Sequence, residues 1–571
     1  MPGRDGTART LTVAYASPSR ETRRGPVTMG QANMIRCILR EDPLHINNHD
    51  VWTVPAGHTV DAVLDALRRL VERHEALRTT FPDPAEGAPR TQVVTEEGEF
   101  DVTLRDVLSG PSAAHAETVA RASRAGRFRL DRDFPLRFTV LTGGCAPAFV
   151  TLAASHAVTD GTALAVLREE FHALLAGGEL PPVDALTPLD LAAEEASPAG
   201  VRRSESSLRY WSRIIGSGPQ EMFAEPRATG TDGQHPQLTL RSARAARALA
   251  ATARRTGSPP ATVLLTTWCT LVAHRAGQTT CVVAAPLANR SRPGLVRAVN
   301  TLSQDALLAL DVRGPTFDAV LRKAWGAALD AYRHSQFDAV RLWEAIDRVT
   351  TERGSRFARD VVFNDVSGLA DPADSAPQPE LDLEWGPFQV LPTRLLCFAY
   401  RTEPVLHLGL WADPALFSRA EAEAFATGLV RLLDAAAVGD VPLSSLTGAT
   451  GVRPAERTPN WVHVDGCWVS PTVIADTLGA ALGGRPVHVA LDTATGTLTA
   501  YLAAGDAPLT PADAHRALTA VLSSGAGPTG LLAPRRYVVV QDPPPAADDT
   551  TRAWADQRVL MEGDGREADA G

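Results

Sequence analysis

One histidine of the sequence stands in a pattern that catalysis could use: His156 is followed by Asp160 and Gly161 in the spacing H-x-x-x-D-G. The apolar run over 148–154 predicts a buried strand before it, and apolar residues at helical spacing over 164–175 predict a helix after it. Such a strand-to-helix turn can hold an imidazole rigidly, while the aspartate anchors the loop and the glycine allows close approach. A lone histidine beside an apolar strand is more often structural, so the functional interpretation depends on the rest of the chain.

The composition of the 571 residues is that of an ordinary soluble globular protein with two or three domains, since 44% are hydrophobic and 21% are charged. The formal net charge of -10 argues against a nucleic-acid partner. No apolar run is long enough to span a bilayer, and the first residues lack the apolar region of a secretory signal. We therefore expect a cytoplasmic protein with neither a nucleic-acid nor a membrane partner.

Metal and lysine chemistry find little support in the sequence. No two cysteines form a C-x-x-C pair, and His45 and His49 are spaced i,i+4 beside a proline that argues against a helix. The cysteines, expected to be free thiols, are Cys37, Cys145, Cys269, Cys281, Cys397 and Cys467. We therefore expect no metal site and no disulfide framework. The single lysine, Lys323, excludes a G-x-x-x-x-G-K phosphate loop, and its helical surroundings favour solvent exposure over Schiff-base chemistry.

The first part of the chain alternates helical and strand patterns. Residues 1–24 are polar and predict a mobile tail. Thr59 is expected to cap a helix that ends in the segment 73–81. The charged residues of that segment are interpreted as structural salt-bridge partners: Arg73, Glu75 and Arg78. The other elements predicted before His156 are helices over 27–40 and 113–125 and strands over 49–54, 91–94 and 136–141.

Residues 177–205 are rich in glycine, proline, alanine and acid, and they predict a linker or crossover to a second α/β half. Ser258 before two prolines predicts the N-cap of an apolar helix that runs to about 275. The other elements predicted here are helices from 242, over 316–333, 337–350 and 418–436, and strands over 237–241, 281–287, 359–367, 394–400 and 404–411. Their order predicts two similar layers, each a sheet with helices on one side.

Beyond a linker over 441–460, residues 461–560 predict a small α+β module. Asp465 and Gly466 between two apolar runs are a strong hairpin signal. The other elements predicted in the module are helices from 472 and over 511–522 and strands over 487–491, 497–503 and 536–541. Residues 561–571 predict a disordered tail.

Several ordered segments resemble the condensation domains of nonribosomal peptide synthetases, members of the chloramphenicol-acetyltransferase-like superfamily. RHEALRTTF at 73–81 matches the family's R-H-E-x-L-R-T-x-F signature in full. The His156 cluster matches the family's H-H-x-x-x-D-G motif, with Ser155 in place of the first histidine. Further matches are PLANR (286–290), VNT (299–301), RDVVFND (359–365) and LHLGLWADPALF (406–417). The resemblance covers roughly residues 25–440.

The resemblance implies an α/β (α+β) fold of two chloramphenicol-acetyltransferase-like lobes, 25–195 and 196–440, in a V with His156 in a tunnel between them. A carrier protein's phosphopantetheine arm would enter each mouth, so no cofactor would be bound permanently. Residues 461–560 resemble the small C-terminal subdomain of adenylating enzymes through VDGCWVS, TLTAYLA and LLAPRRYVVVQDPPP. That family needs a lysine near the end of the subdomain, and none follows Lys323, so we expect a degenerate module that cannot adenylate.

The resemblance also implies roles for the residues of the site. His156 would orient or deprotonate the nucleophile, and the backbone N–H near Gly161 would bind the oxyanion. Asp160 would be structural, through an ion pair with Arg290 of the second lobe. Ser155 would replace a histidine that packs and hydrogen-bonds; if that histidine sets the tautomer of His156, the reaction would be slower or reshaped for another acceptor.

Three classes of function stay open. The first is a stand-alone condensation enzyme that transfers an acyl or aminoacyl group from a carrier-protein thioester to an amine, forming an amide. The second is an acyltransferase that makes an ester or amide on a free small molecule. The third is a non-catalytic docking or scaffold protein of a synthetase assembly. Because the sequence shows no convincing carrier domain, both enzyme classes require a separate acyl or peptidyl carrier protein as partner.

Overall fold

The structure, a computed structural model, consists of two lobes that are each built on one large sheet, followed by a smaller C-terminal sheet. The residues that it describes are 5–17, 21–82, 87–108, 110–224, 234–369, 378–505, 507–524, 527–545 and 548–566. Within these ranges, no helix is both long enough and apolar enough to cross a membrane.

The first lobe carries the predicted strand, turn and helix around His156. Its elements are β1 (Asp5–Ala16), β2 (Arg23–Pro26), α1 (Met29–Arg40), α2 (Pro43–Ile46), β3 (Asn48–Thr53), α3 (Val60–Arg73), β4 (Thr79–Thr80), β5 (Thr91–Val94), β6 (Glu97–Val107), α4 (Ala113–Arg124), β7 (Leu136–Gly143), β8 (Ala146–Ala154) and α5 (Gly161–Leu175). The sheet order is β1-β6-β7-β8-β3, with β6 and β7 parallel and the other pairs antiparallel. Strands β2, β5 and β4 form a separate small sheet.

Helices cover both faces of the first-lobe sheet, so the prediction of helices on one side is wrong here. On one face, Leu67 of α3 and Phe171 of α5 pack with Trp52 of β3 in the main core. On the other face, Val119 of α4 packs with Leu141 of β7 in a smaller cluster. The apolar residues of α4 are mostly alanine, so its sequence pattern does not show which face of the helix is buried.

The predicted mobile tail over 1–24 is wrong for the residues that the structure describes there. Strand β1 pairs along β6, and β2 pairs with β5, so both segments belong to sheets. Toward its end, β1 alternates between the two faces of the sheet: Tyr15 is buried and Leu11 and Val13 pack against the core, while the residues between them are exposed. The polar composition of residues 1–24 as a whole outweighed this two-residue period in the prediction. Strand β6 alternates in the same way. Residues 1–4 lie outside the described ranges.

The crossover to the second lobe is helical; the sequence predicted a linker or crossover here and no helix was assigned to it. Residues 177–205 include α6 (Pro188–Glu195) and the start of α7 (Pro198–Ser217), each with proline at its first position and a capping Thr187 or Ser197. The other second-lobe elements are β9 (Gln234–Ser242), α8 (Ala243–Thr256), α9 (Pro260–Ala276), β10 (Thr280–Leu287), α10 (Pro293–Val296), β11 (Gln304–Asp311), α11 (Phe317–Arg333), α12 (Ala339–Arg353), β12 (Val361–Asp365), β13 (Asp382–Val390), β14 (Leu395–Arg401), β15 (Leu406–Ala412), α13 (Arg419–Val438) and α14 (Leu446–Thr450).

The second-lobe sheet has the order β11-β10-β12-β14-β15-β9-β13, with β12 parallel to both β10 and β14. One face packs on α7, α8, α9, α11, α12 and α13 in the largest core of the protein. The opposite face carries a smaller cluster that includes Leu396 and Trp411. Ser258 is not the N-cap of α9, because Pro259 occupies that position and makes no side-chain capping bond.

The C-terminal module has a core of its own and is joined closely to the second lobe. Its elements are β16 (Val462–Val464), β17 (Cys467–Val469), α15 (Pro471–Ala481), β18 (Val487–Asp492), β19 (Thr497–Ala503), α16 (Pro511–Ser524), β20 (Arg536–Val540), α17 (Thr551–Ala555) and β21 (Val559–Gly563). The predicted hairpin is present, with Asp465 at φ 50° and Gly466 at φ 75° between β16 and β17.

The predicted disordered tail over 561–571 is wrong for its described part. Strand β21 pairs antiparallel with β20 and completes the order β18-β19-β20-β21. Beyond it, Arg566 donates to the carbonyl of Pro534 at 2.9 Å and so fixes the following turn. Residues 567–571 lie outside the described ranges. The apolar strand residues Val559, Leu560 and Met561 are exposed, so β21 is held by its pairing with β20 and not by burial of these side chains.

Candidate active site

The turn that carries His156 connects β8 to α5, as the sequence predicts. The main-chain N–H of Ser155 donates to Pro135 O at 2.9 Å, and Val158 N–H donates to Ser155 O at 3.1 Å. The buried Ser155 hydroxyl accepts from Ala157 N–H at 3.3 Å, so its hydrogen bond stays within the turn. Residue 155 therefore shapes the backbone that presents His156.

His156 is partly accessible, and its ring lies where the two lobes meet. Nδ1 is 3.4 Å from the hydroxyl of Thr301, a second-lobe residue. Burial lowers the pKa of His156, while the Asp160 charge and hydrogen bonds to the carbonyls of His156 and Thr159 oppose that shift. The lowered pKa favours a neutral ring at neutral pH, and a neutral imidazole has a free lone pair on one of its two nitrogens.

The carbonyl of Thr159 has a second donor, which fixes it from the neighbouring strand. Asn48, at the start of β3, donates from Nδ2 to Thr159 O at 2.9 Å. The Thr159 hydroxyl also donates to Ser155 O at 3.3 Å. The carbonyl that contacts the imidazole is therefore held by both the sheet and the turn.

Asp160 uses both carboxylate oxygens to join α5 to the second lobe. Oδ1 caps the helix by accepting from Ala163 N–H at 2.9 Å and accepts from Arg290 Nη2 at 2.7 Å. Oδ2 accepts from Leu302 N–H at 3.0 Å. Both partners of the ion pair are buried, with 4% of the Asp160 and 7% of the Arg290 side chain exposed. The pair that the resemblance implied is thus present as a contact between lobes.

Arg290 also organises the second-lobe segment that lies under the site. Its Nη1 donates to Leu295 O at 2.9 Å and to Ala298 O at 2.6 Å. Val299 of this segment packs into the core of the first lobe. At Gly30 in α1, any side chain would collide with the carbonyl of Thr301, so glycine allows the two lobes to approach this closely.

Gly161 is the first residue of α5, and its backbone is exposed. Of the residues that the structure describes, none accepts a hydrogen bond from its N–H, as is usual at a helix N-terminus. A Cβ at this position would lie 2.9 Å from Cδ1 of Leu369, in the turn that follows β12. Glycine therefore admits the second lobe here, and its N–H stands without an acceptor among the described residues at the start of α5.

The signature segment 73–81 is structural, and it begins where α3 ends. Arg73 and His74 both bind the carboxylate of Glu170 in α5, at 3.0 Å and 2.6 Å. Glu75 forms an ion pair with Arg23, which confirms the predicted role of Arg73 and Glu75. Arg78 differs from the prediction, because it donates to the carbonyl of Thr95 at 2.6 Å. Sequence reasoning missed Glu170, which holds α5 in place.

A second histidine near the site was considered in the sequence only as half of a metal pair. His45 lies in the short helix α2, and its Nε2 is 3.3 Å from Glu41 Oε2. Its Nδ1 is 3.3 Å from Gln389 Nε2 of β13, in the other lobe. Burial, aided by the charges of Arg359, Arg124 and His156, lowers the pKa of His45 to about 3. No local motif points to this residue, because its surroundings form only in the folded chain.

His49 lies on β3 and contacts Glu117 at 2.8 Å. Lys323 is half-exposed and pairs with Asp311 at 3.0 Å, as its helical pattern indicated. Among the residues described, no three histidine, cysteine or acidic side chains cluster as metal ligands would.

The fold and the His156 turn are those of a condensation domain, and the chain belongs to that family. The family model described as "Condensation domain" matches residues 35–447, most of the chain. The match ends before the C-terminal module, so the resemblance of residues 461–560 to adenylating enzymes stays a prediction.

Among curated relatives, phosphinothricin tripeptide synthetase PhsC of Streptomyces viridochromogenes is 29% identical over 311 residues, which is 52% of this chain and 28% of that synthetase. The AMB antimetabolite synthetase AmbB of Pseudomonas aeruginosa is 33% identical over 245 residues, which is 41% of this chain and 19% of that protein. The chain therefore spans less than a third of either relative.

Solved structures share the fold at low identity. SgcC5 from Streptomyces globisporus aligns over 73% of this chain and 100% of its own, with a TM-score of 0.58 and 18% identity. The X-domain from teicoplanin biosynthesis aligns over 73% of this chain and 96% of its own, with a TM-score of 0.58 and 20% identity. The first condensation domain of the CDA synthetase aligns over 74% and 98%, with a TM-score of 0.52 and 19% identity.

Proposed function

We propose that this chain transfers an acyl or aminoacyl group from the phosphopantetheine thioester of a separate carrier protein to an amine. The observation that carries the proposal is the state of His156, which is partly accessible, has a lowered pKa and is held by main-chain carbonyls. A neutral imidazole with a free nitrogen is what general-base catalysis requires at neutral pH. Condensation domains as a family act on carrier-borne phosphopantetheinyl substrates.

In the proposed reaction, the amine attacks the thioester carbonyl carbon while Nε2 of His156 accepts the amine proton. The C–N bond forms, the carbonyl oxygen takes negative charge in the tetrahedral intermediate, and the C–S bond then breaks. The imidazolium returns its proton to the departing thiolate. The products are an amide and a free carrier thiol, and general-base help of this kind accelerates the reaction about 10²–10⁴-fold.

The residues beside His156 take supporting roles in this proposal. The Gly161 N–H is the candidate oxyanion donor, because it stands at the start of α5 without an acceptor among the described residues. Asp160 and Arg290 hold the lobes and the turn together. Ser155 is compatible with catalysis, since its hydroxyl serves the turn while main-chain carbonyls hold the imidazole.

Intact-protein mass spectrometry of an acyl-loaded carrier protein, incubated with candidate amines, tests the proposal. We expect the wild-type protein to unload the carrier and form the amide, and His156→Ala to be slower by about 10²-fold or more. His172→Ala is the matched control, because His172 lies on α5 and donates to Thr53 O at 2.9 Å, away from the turn. Equal unloading by wild type and His156→Ala would contradict the proposal.

Two alternatives give different outcomes in the same experiment. An acceptor alcohol or amine that is free in solution would give an ester or amide of that small molecule, which the product mass identifies. A non-catalytic docking function is favoured by one observation, the serine at position 155 where the family motif has a histidine. No unloading by wild type across a broad set of amines and alcohols would support the docking function.

A further inference from the structure

Thr301 of the second lobe contacts the ring of the candidate base across the junction of the lobes. Its hydroxyl Oγ1 lies 3.4 Å from Nδ1 of His156, and the residue is fully buried. Among the residues that the structure describes, no other side chain hydrogen-bonds to the ring, and the Thr301 hydroxyl has no other partner. The Thr301 N–H donates to Asn300 Oδ1 at 2.8 Å, so of the polar hydrogens of this residue only that of the hydroxyl is left for the ring.

The main chain around Thr301 is held from both lobes, so the hydroxyl has a fixed position. On the first-lobe side, Leu302 N–H donates to Asp160 Oδ2 at 3.0 Å, and Val299 packs in the core of that lobe. On the second-lobe side, Asn289 Nδ2 donates to Leu302 O at 3.1 Å. A group held in this way can orient a neighbouring ring with little reorganisation, because its position is set before the reaction begins.

The Thr301 contact differs from the other contacts of the ring in where it comes from. The carbonyls of His156 and Thr159 also accept from the ring, but they belong to the same turn and move with it. Thr301 belongs to the other lobe. Its distance of 3.4 Å is at the long end for a hydrogen bond, and bonds of catalytic groups commonly shorten in the reacting complex. Thr301 is thus the contact that ties the ring to the second lobe.

A hydroxyl beside Nδ1 can decide which nitrogen of a neutral imidazole carries the proton. The hydrogen bond made by one ring nitrogen sets the protonation of the other. When Nδ1–H donates to Oγ1, the lone pair lies on Nε2, where the proposed reaction uses it. The same bond persists when Nε2 takes the amine proton, because an imidazolium also donates from Nδ1. A hydroxyl that donated to Nδ1 would have to rotate at that moment, so the accepting orientation needs less reorganisation.

We propose that Thr301 is a positioning residue for His156: its hydroxyl accepts the Nδ1–H and so keeps the lone pair on Nε2. The inference rests on the proposed acyl transfer and names a second-lobe residue that acts in it through His156. The contact strengthens as the ring becomes charged, since a hydrogen bond to a charged group is worth more than one between neutral groups. Thr301 therefore stabilises the transition state more than the bound substrates, which predicts an effect on kcat and not on KM.

The kinetic test compares two substitutions at position 301 in the mass-spectrometric assay of carrier unloading. Thr301→Val removes the hydroxyl at nearly constant volume, and we expect kcat to fall about tenfold or more while the KM values of carrier and amine stay unchanged. Thr301→Ser keeps the hydroxyl and should retain most of the activity. Thr267→Val is the matched control, because Thr267 is equally buried and its hydroxyl donates to Val263 O at 2.8 Å, within α9. Equal losses in Thr301→Val and Thr301→Ser, or wild-type kcat in Thr301→Val, would overturn the role of the hydroxyl.

A spectroscopic measurement separates this inference from the fate of the proposed reaction. Proton–nitrogen correlation NMR spectra of the full chain with isotope-labelled histidine report which ring nitrogen is protonated, and His156→Gln identifies the His156 signals. We expect wild type and Thr301→Ser to carry the proton on Nδ1 at neutral pH, and Thr301→Val to show both tautomers. That pattern without acyl transfer by wild type would support the contact and overturn the reaction. Acyl transfer at wild-type kcat in Thr301→Val, with both tautomers already present in wild type, would overturn the role of Thr301 and support the reaction.

Discussion

The two junctions of this molecule are built alike, each around a buried arginine that combines main-chain carbonyls with one aspartate. Between the lobes, Arg290 binds Asp160; between the second lobe and the C-terminal module, Arg353 binds Asp465. The two arginine side chains are almost equally buried, with 7% and 4% exposed. The aspartates differ, since 4% of the Asp160 side chain is exposed but 38% of the Asp465 side chain.

This difference in exposure decides what each carboxylate contributes. A buried pair that loses one partner leaves an uncompensated charge, whereas water screens an exposed pair. Arg353 also donates to Ile215 O at 2.9 Å, to Gly218 O at 2.6 Å and to the carbonyl of Asp465 itself. Of these bonds only the one to the Asp465 carbonyl crosses the junction, because Ile215 and Gly218 belong to the second lobe. The junction at His156 therefore depends on a buried ion pair, while the module junction combines a screened ion pair with a main-chain hydrogen bond.

The largest effect is expected at the ion pair between the lobes. Asp160→Ala leaves the Arg290 charge buried, removes the cap of α5 and frees the Leu302 N–H. We expect a loss of about 3–5 kcal/mol in the free energy of unfolding, together with a loss of activity. Calorimetry and the carrier-unloading assay measure the two quantities. A variant that is inactive but as heat-stable as wild type would show that Asp160 serves the chemistry and not the structure.

The next effect is expected at the module junction, through Arg353. Arg353→Met keeps the length of the side chain but removes the donor to the Gly218 carbonyl and to the Asp465 carbonyl across the junction, whereas Ile215 O still accepts from Gln220 Nε2. An unsatisfied carbonyl costs about 1–3 kcal/mol, so we expect a loss of about 1–3 kcal/mol in stability. Calorimetry should then show the module melting in a separate, earlier transition. A single transition at the wild-type temperature would contradict a junction that depends on these hydrogen bonds.

The charge of Asp160 also acts to raise the pKa of His156. The pH dependence of activity therefore tests the comparison between Asp160 and Asp465. Burial lowers the pKa of His156 below its ordinary 6.5, and the protonated ring has no lone pair for a base. We expect kcat/KM to be flat at neutral pH and to fall tenfold per pH unit below the lowered pKa, about 1.4 kcal/mol per unit. Asp160→Asn removes a charge that raises the pKa, so this acid limb should move to lower pH. Asp465→Asn should leave it unchanged, and a shift of the Asp160→Asn limb to higher pH would contradict the assignment.

Features that depend only on neighbouring residues were predictable, which is why the strand before His156 and the helix after it were predicted correctly. The apolar run of β8 and the helical spacing in α5 are both local. The same holds for Thr59 before α3 and for the Asp465-Gly466 hairpin. Strand β6 was missed because polar residues alternate with its buried ones, so it contains no apolar run, and β1 was missed because its short apolar end follows a polar start.

The surroundings of His156 could not be read from spacing, because they come from distant parts of the chain. His45 meets Gln389 across 344 residues, and Arg290 meets Asp160 across 130. The Arg290 pair was expected only through the family resemblance.

The smallest effect on stability is expected at Asp465, where the same substitution can be compared directly with Asp160 at the buried junction. Asp465→Asn removes the charge but keeps a residue type that tolerates the positive φ of this turn. The main-chain carbonyl of residue 465 still binds Arg353, so we expect a change below about 1 kcal/mol that shrinks further in high salt. Asp160→Asn, the same chemical change at the buried junction, should cost more than this at any salt concentration. Equal losses of Tm for the two variants would mean that exposure does not distinguish the junctions, and that both are held by charge.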